Sequence, residues 1–92
     1  GLEFMKLFNI QDTKRFYETV DSCVEPVLVT SSDGRSEDFR NNTLLREVLE
    51  TASCDGGISK IELKVSHPTD MRRLINFMAG SYFGPLTEKK TA

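Results

Sequence analysis

The sequence predicts an α+β domain: an open-faced two-layer sandwich in the order strand-helix-strand-strand-helix-strand-helix. Three observations carry that reading. Residues Ile58 to Ser66 alternate, with Ile61, Leu63 and Val65 on one side and Lys60, Glu62 and Lys64 on the other, the pattern of a strand with one covered and one wet face. Asp33-Gly34 follows the most strand-like run in the chain, Val27 to Ser31, and marks a hairpin. Three further segments carry apolar residues at helical spacing on one side only, so three helices covering one sheet face is the economical packing.

Each element has its local reason. Met5 to Ile10 mixes apolar and polar positions as a short strand, with Phe8 and Ile10 expected on one face. Asp12 is a good N-cap, and Phe16, Val20 and Cys23 follow as one apolar stripe until Pro26 forbids continuation. Arg35 to Arg40, polar and poorly alternating, must pair back on Val27–Ser31 and reads as an edge strand. Asn41, Asn42 and Thr43 offer caps for a helix from Leu44 to Ser53, whose expected buried face is Leu44, Leu45, Val48, Leu49 and Ala52. Asp55-Gly56-Gly57 stops it. Pro68 suits the first position of the last helix and Asp70 its first turn. That helix should bury Met71, Leu74, Ile75 and Met78 and stop at Gly80.

Ninety-two residues, 38% of them hydrophobic, fill one small core and leave nothing for a second. Residues 1–4 read as an expression-tag scar before Met5, residues 5–83 as the single domain, and the polar stretch 84–92 as a flexible tail. A net charge of −2 lacks the field of a general nucleic-acid binder. One histidine and two cysteines cannot build a usual Cys/His zinc site, and no metal or other cofactor is expected. No run is long and apolar enough to span a membrane, and no signal peptide precedes the domain; a reduced cytoplasmic protein, monomer or weak dimer, is the expectation.

The chemistry-bearing residues read as structure first. His67, beside Ser66 and three positions before Asp70, would have to serve any triad, but a histidine at a helix start is ordinary. Cys23 falls on a buried stripe; Cys54, beside Asp55, lacks the basic surroundings of a nucleophile. Neither glycine cluster has the spacing or lysine of a phosphate loop. Arg72 and Arg73 lie off the apolar stripe, on a solvated face, while Phe77, Tyr82 and Phe83 either finish the core or form an apolar patch.

The element order, with its Asp-Gly turn between the middle strands, resembles HPr, the histidine-containing phosphocarrier of the sugar phosphotransferase system, and small HPr-like proteins of Clostridia-type bacteria. The likeness spans Met5 to Ser81. Ile10-Gln11-Asp12-Thr13-Lys14-Arg15-Phe16 stands where HPr has Gly-x-His-x-Arg-Pro-Ala, and Arg40-Asn41-Asn42-Thr43-Leu44-Leu45 stands where it has a Lys-Ser pair. Ile61 to Asp70 matches the run from an alternating strand into an acidic helix start.

The departures decide what the resemblance implies. Asp12 replaces the phosphoacceptor histidine, Lys14 the assisting arginine and Arg15 the proline. A carboxylate there caps the helix and repels a phosphate from its N-terminal N–H groups. At Thr43 a cap role outweighs a phosphorylation site. The implied function is a non-catalytic HPr-like interaction or regulatory domain with a protein partner. Its implied surface is the starts of the first two helices: Asp12, Thr13, Lys14, Arg15, Phe16, Thr43, Leu44 and Glu47. The alternatives are a phosphocarrier with an atypical acceptor, or a nucleic-acid-associated module using Arg72, Arg73 and the C-terminal lysines.

Overall fold

A computed structural model describes residues 3–30, 33–52 and 57–83, with side chains described as far as residue 80. The elements are β1 (Glu3–Ile10), α1 (Thr13–Asp21), β2 (Val27–Thr30), β3 (Ser36–Asp38), α2 (Thr43–Ala52), β4 (Ile58–Val65) and α3 (Pro68–Phe83). The four strands form one antiparallel sheet in the order β1-β4-β2-β3. The predicted α+β class and element order therefore hold. Residues 1, 2, 31, 32, 53–56 and 84–92, including the start of the predicted tag scar, Cys54, the Asp55-Gly56 part of the predicted helix stop and the predicted tail, lie outside the described residues.

β4 sits centrally and its alternation does what the sequence implied. Ile58, Ile61, Leu63 and Val65 are buried, and β1 and β2 flank the strand with Leu7 opposite Ile61 and Val27 opposite Val65. The other sheet face is wet. There Lys6 pairs with its cross-strand partner Glu62 at 3.5 Å, and Lys64 lies 5.4 Å from the ring of its partner Phe4. β1 begins at Glu3, so Glu3 and Phe4, expected to lie outside the fold, belong to the sheet.

The expected face of β1 is corrected. Ile10 is buried with Leu7, while Phe8 is exposed. Asn9 adopts φ of 51°, a left-handed turn that asparagine tolerates, and this interrupts the two-residue alternation so that Ile10 swings to the core side. The β2–β3 hairpin forms as expected, with β3 at the sheet edge. Gly34 takes φ of 87°, and the Asp33 carboxylate accepts the Arg35 N–H at 3.2 Å, a local turn bond of the kind aspartate favours.

α1 uses three sides. At 100° per residue, Phe16 and Val20 point to the sheet, Tyr17 and Asp21 to α2, and Arg15, Thr19 and Ser22 to α3. The core is completed by Phe39, which sits just past β3, and by Leu74 and Phe77 of α3. Phe16 stacks at tilted angles on both Phe39 and Phe77, with centroids 5.9 and 5.4 Å apart.

Two helical faces differ from expectation. In α2 only Leu45 and Leu49 pack against the core; Leu44 and Val48 are 73% and 56% exposed, and Ala52 is exposed too. Arg46 and Glu50 face α1, and this turns the centre of the apolar stripe outward. In α3 Ile75 is exposed and Phe77 takes the inward position. The helix also passes through Gly80 to Phe83 instead of stopping there.

Candidate functional site

At the start of α1, Asp12 is the N-cap: its carboxylate accepts the Arg15 backbone N–H at 3.1 Å. The acceptor oxygen thus occupies an N–H that an anion would otherwise take. Lys14 and Arg15 are exposed and Thr13 half-buried. Phe16 is removed from the expected surface, because it is wholly buried as the first inward residue of the helix.

At the start of α2 the cap is Asn42, not Thr43. The Asn42 carboxamide accepts the Leu45 N–H at 3.1 Å and donates to the Asp38 carbonyl at 3.0 Å, so it both starts the helix and ties it to the end of β3. Asn41 precedes it at φ of 53°. Thr43, Leu44 and Glu47 are exposed.

The two helix starts are not neighbours. Asp21, at the end of α1, accepts the Asn41 backbone N–H at 2.8 Å and binds the Arg46 guanidinium through both carboxylate oxygens. The start of α2 therefore lies against the end of α1. The expected surface is divided into two patches separated by the length of α1, about 13 Å at 1.5 Å per residue.

What joins α1 to α2 is a cluster that local reading missed. The Arg46 guanidinium stacks 4.5 Å from the Tyr17 ring centroid and 5.2 Å from that of Phe39, donates to the Phe39 carbonyl at 2.9 Å, and pairs with Asp21. Its side chain is only 11% exposed. The Tyr17 hydroxyl donates to the Glu50 carboxylate. The Arg46 hydrogen bond holds the Asp21 carboxyl below its ordinary value, with the Asn41 N–H adding to that against some burial. Burial, then the bond to Glu50 and its charge, push the Tyr17 hydroxyl well above its ordinary value. Tyr17 with Asp21 and Arg46 with Glu50 are each spaced i, i+4, and that matched pair of polar spacings was the available signal.

The remaining candidates resolve as structure. The His67 Nδ1 accepts the Thr69 N–H at 3.1 Å at the start of α3. Asp70 turns away from it and is fully buried, accepting the N–H groups of Val24 and Glu25 at 2.9 and 3.0 Å. Ser66, His67 and Asp70 thus form no relay. Cys23 is a free, buried thiol; burial and then the charge of Asp70 push it up to about 11, with Arg73 partly opposing. Arg40 grips Asp38 through Nε and Nη2 and donates to the Cys23 carbonyl at 3.3 Å. Arg72 and Arg73 are exposed as expected.

Among the described residues no group of three or more His, Cys, Asp or Glu side chains is placed to hold a metal, and no helix is long and apolar enough to cross a membrane. Comparison with family models, curated proteins and solved structures returns no match for this chain.

Proposed function

We propose that this chain is a non-catalytic, HPr-like protein-interaction or regulatory domain without a competent phosphohistidine site. It docks a protein partner along the side of the molecule that runs from Asp12, Thr13, Lys14 and Arg15 to Thr43, Leu44 and Glu47. The observation that carries the reading is the pair Leu44 and Val48. They are spaced i, i+4 on one face of α2 and left 73% and 56% exposed. Two further facts support it. The element order agrees with the family resemblance, and Asp12, at the position matching the phosphohistidine, uses one carboxylate oxygen to cap the helix. A standard interface of about 800 Å² per partner spans roughly 30 Å, enough to cover both patches at once.

The test is affinity capture from the native source with the full chain and with the variants Leu44→Glu and Lys14→Glu, both at exposed positions. Proteins retained by the parent should be lost from Leu44→Glu and weakened by Lys14→Glu, with melting temperatures unchanged. An identical set of retained proteins across all three baits overturns the docking surface.

A further inference from the structure

Between α1 and α3 lies a cleft of about 600 Å³, lined by Arg15, Thr19, Ser22, Arg73, Asn76, Phe77 and Ala79. This volume lies within the range of small-ligand sites. On a chain of net charge −2 the described lining holds two guanidiniums and no carboxylate. Neither guanidinium forms an ion pair with a described residue, in contrast to Arg40 and Arg46, which each hold an aspartate.

Both cations are placed by the fold. The Arg15 guanidinium lies 5.8 Å from the Phe77 ring centroid and 3.1 Å from where a Cβ on buried Gly80 would stand. Glycine inside a helix costs about 1 kcal/mol against alanine, and a Cβ here would press on the end of the Arg15 side chain and shift it by a few tenths of an ångström. Arg73 reaches from α3 to donate one amino group to the Ser22 carbonyl at the end of α1, with no other hydrogen bond from its fork to a described residue. The hydroxyls of Thr19 and Ser22 donate to the carbonyls of Arg15 and Thr19, at 2.9 and 2.7 Å. The donors open to a guest are therefore the two guanidiniums and the Asn76 amide.

We propose that this cleft binds a small phosphate monoester. The Arg73 guanidinium fork fits phosphate oxygens bidentately, and the second positive charge, Arg15 farther along the same cleft, favours a phosphate of charge about −1.5 to −2 over a carboxylate of −1. The apolar side of the cleft, Phe77 and Ala79, accepts the organic part. The site is independent of the docking surface except for Arg15, since Arg73 and Asn76 belong to α3 alone.

The experiment is a nitrogen-15 NMR titration of the full chain with phenyl phosphate, with benzoate and inorganic phosphate as comparison probes. Phenyl phosphate should saturate with Kd of about 1 mM or tighter, moving the Arg73 Nε and Asn76 amide signals. Arg73→Gln and Arg15→Gln should each weaken it about tenfold, the loss of one positive charge from the cleft, and Lys14→Gln should not. Asn76→Asp, an exposed and conservative change, should abolish binding by placing a negative charge in the cleft. Failure to saturate, equal affinity for benzoate, or affinity unchanged in Arg73→Gln and Asn76→Asp overturns the proposal.

Discussion

Asp70, in the first turn of α3, accepts the backbone N–H of Val24, 46 positions earlier, at 2.9 Å. Its second oxygen takes the N–H of Glu25 at 3.0 Å. One fully buried carboxylate thereby holds the loop between α1 and β2 against α3, and its charge also acts on Arg40 and on the Cys23 thiol. Asp70→Ala strands two N–H donors and should destabilise the fold by about 2–4 kcal/mol, with Asp70→Asn in between because it keeps only one good acceptor. Urea unfolding of the three proteins checks this. A midpoint for Asp70→Ala close to the parent's would show that water replaces the carboxylate without loss.

The cap at Asp12 is a second point of leverage. Asp12→Ala should cost roughly 0.5–2 kcal/mol, while Asp12→Ser and Asp12→Asn, which keep an acceptor for the Arg15 N–H, should cost much less. Asp12→His restores the acceptor type found in HPr but loses the cap, so it should be destabilised as well. Equal unfolding midpoints for Asp12→Ala and the parent would deny the cap any energetic role.

Arg46 joins α1, α2 and the end of β3 through two ring faces, one carbonyl and one carboxylate. Arg46→Ala should lose about 2–3 kcal/mol, and Arg46→Lys should recover only part because an ammonium has no planar fork to stack and chelate at once. A double-mutant cycle with Asp21→Ala should return a coupling of about 1 kcal/mol or more. Strict additivity would assign the loss to packing alone.

Acid should undo the two aspartate pairs. Burial raises Asp38, but the bonds from Arg40 and the N–H of Val27 outweigh it and hold its carboxyl low, as Arg46 does for Asp21. A carboxyl depressed in the folded state contributes stability above its unfolded pKa of about 4, and that contribution is lost as pH falls through the folded value. The urea midpoint should stay level from neutrality to about pH 5 and fall below about pH 4. Asp21→Asn should lower the plateau and flatten the fall; an unaltered slope in that variant would remove Asp21 from the account.

The thiol of Cys23 should be inert. With burial and the nearby Asp70 pushing it up to about 11, almost none is thiolate at pH 8. Iodoacetamide should label Cys23 far more slowly in the folded protein than in denaturant, as read by peptide mass mapping. Equal rates would place the thiol at the surface.

Patterning along the chain already determined the order of elements, the inward residues of β4, the hairpin and the Asp12 cap. Each rests on contacts within a few positions: alternation, a turn dipeptide, a carboxylate three residues from its N–H. Which helix face meets the core was less legible. Leu44 and Leu45, or Leu74 and Ile75, are adjacent and equally apolar, so local pattern cannot choose between them. Only packing in three dimensions decides. Arg46 turns α2 by stacking on Tyr17 and Phe39, Asn9 reverses the end of β1, and Phe16 withdraws from the expected surface into the sheet. The separation of the two helix starts and the arginine-lined cleft have the same origin, since both depend on residues of different helices whose distance is set by the sheet beneath them and by no spacing in the sequence.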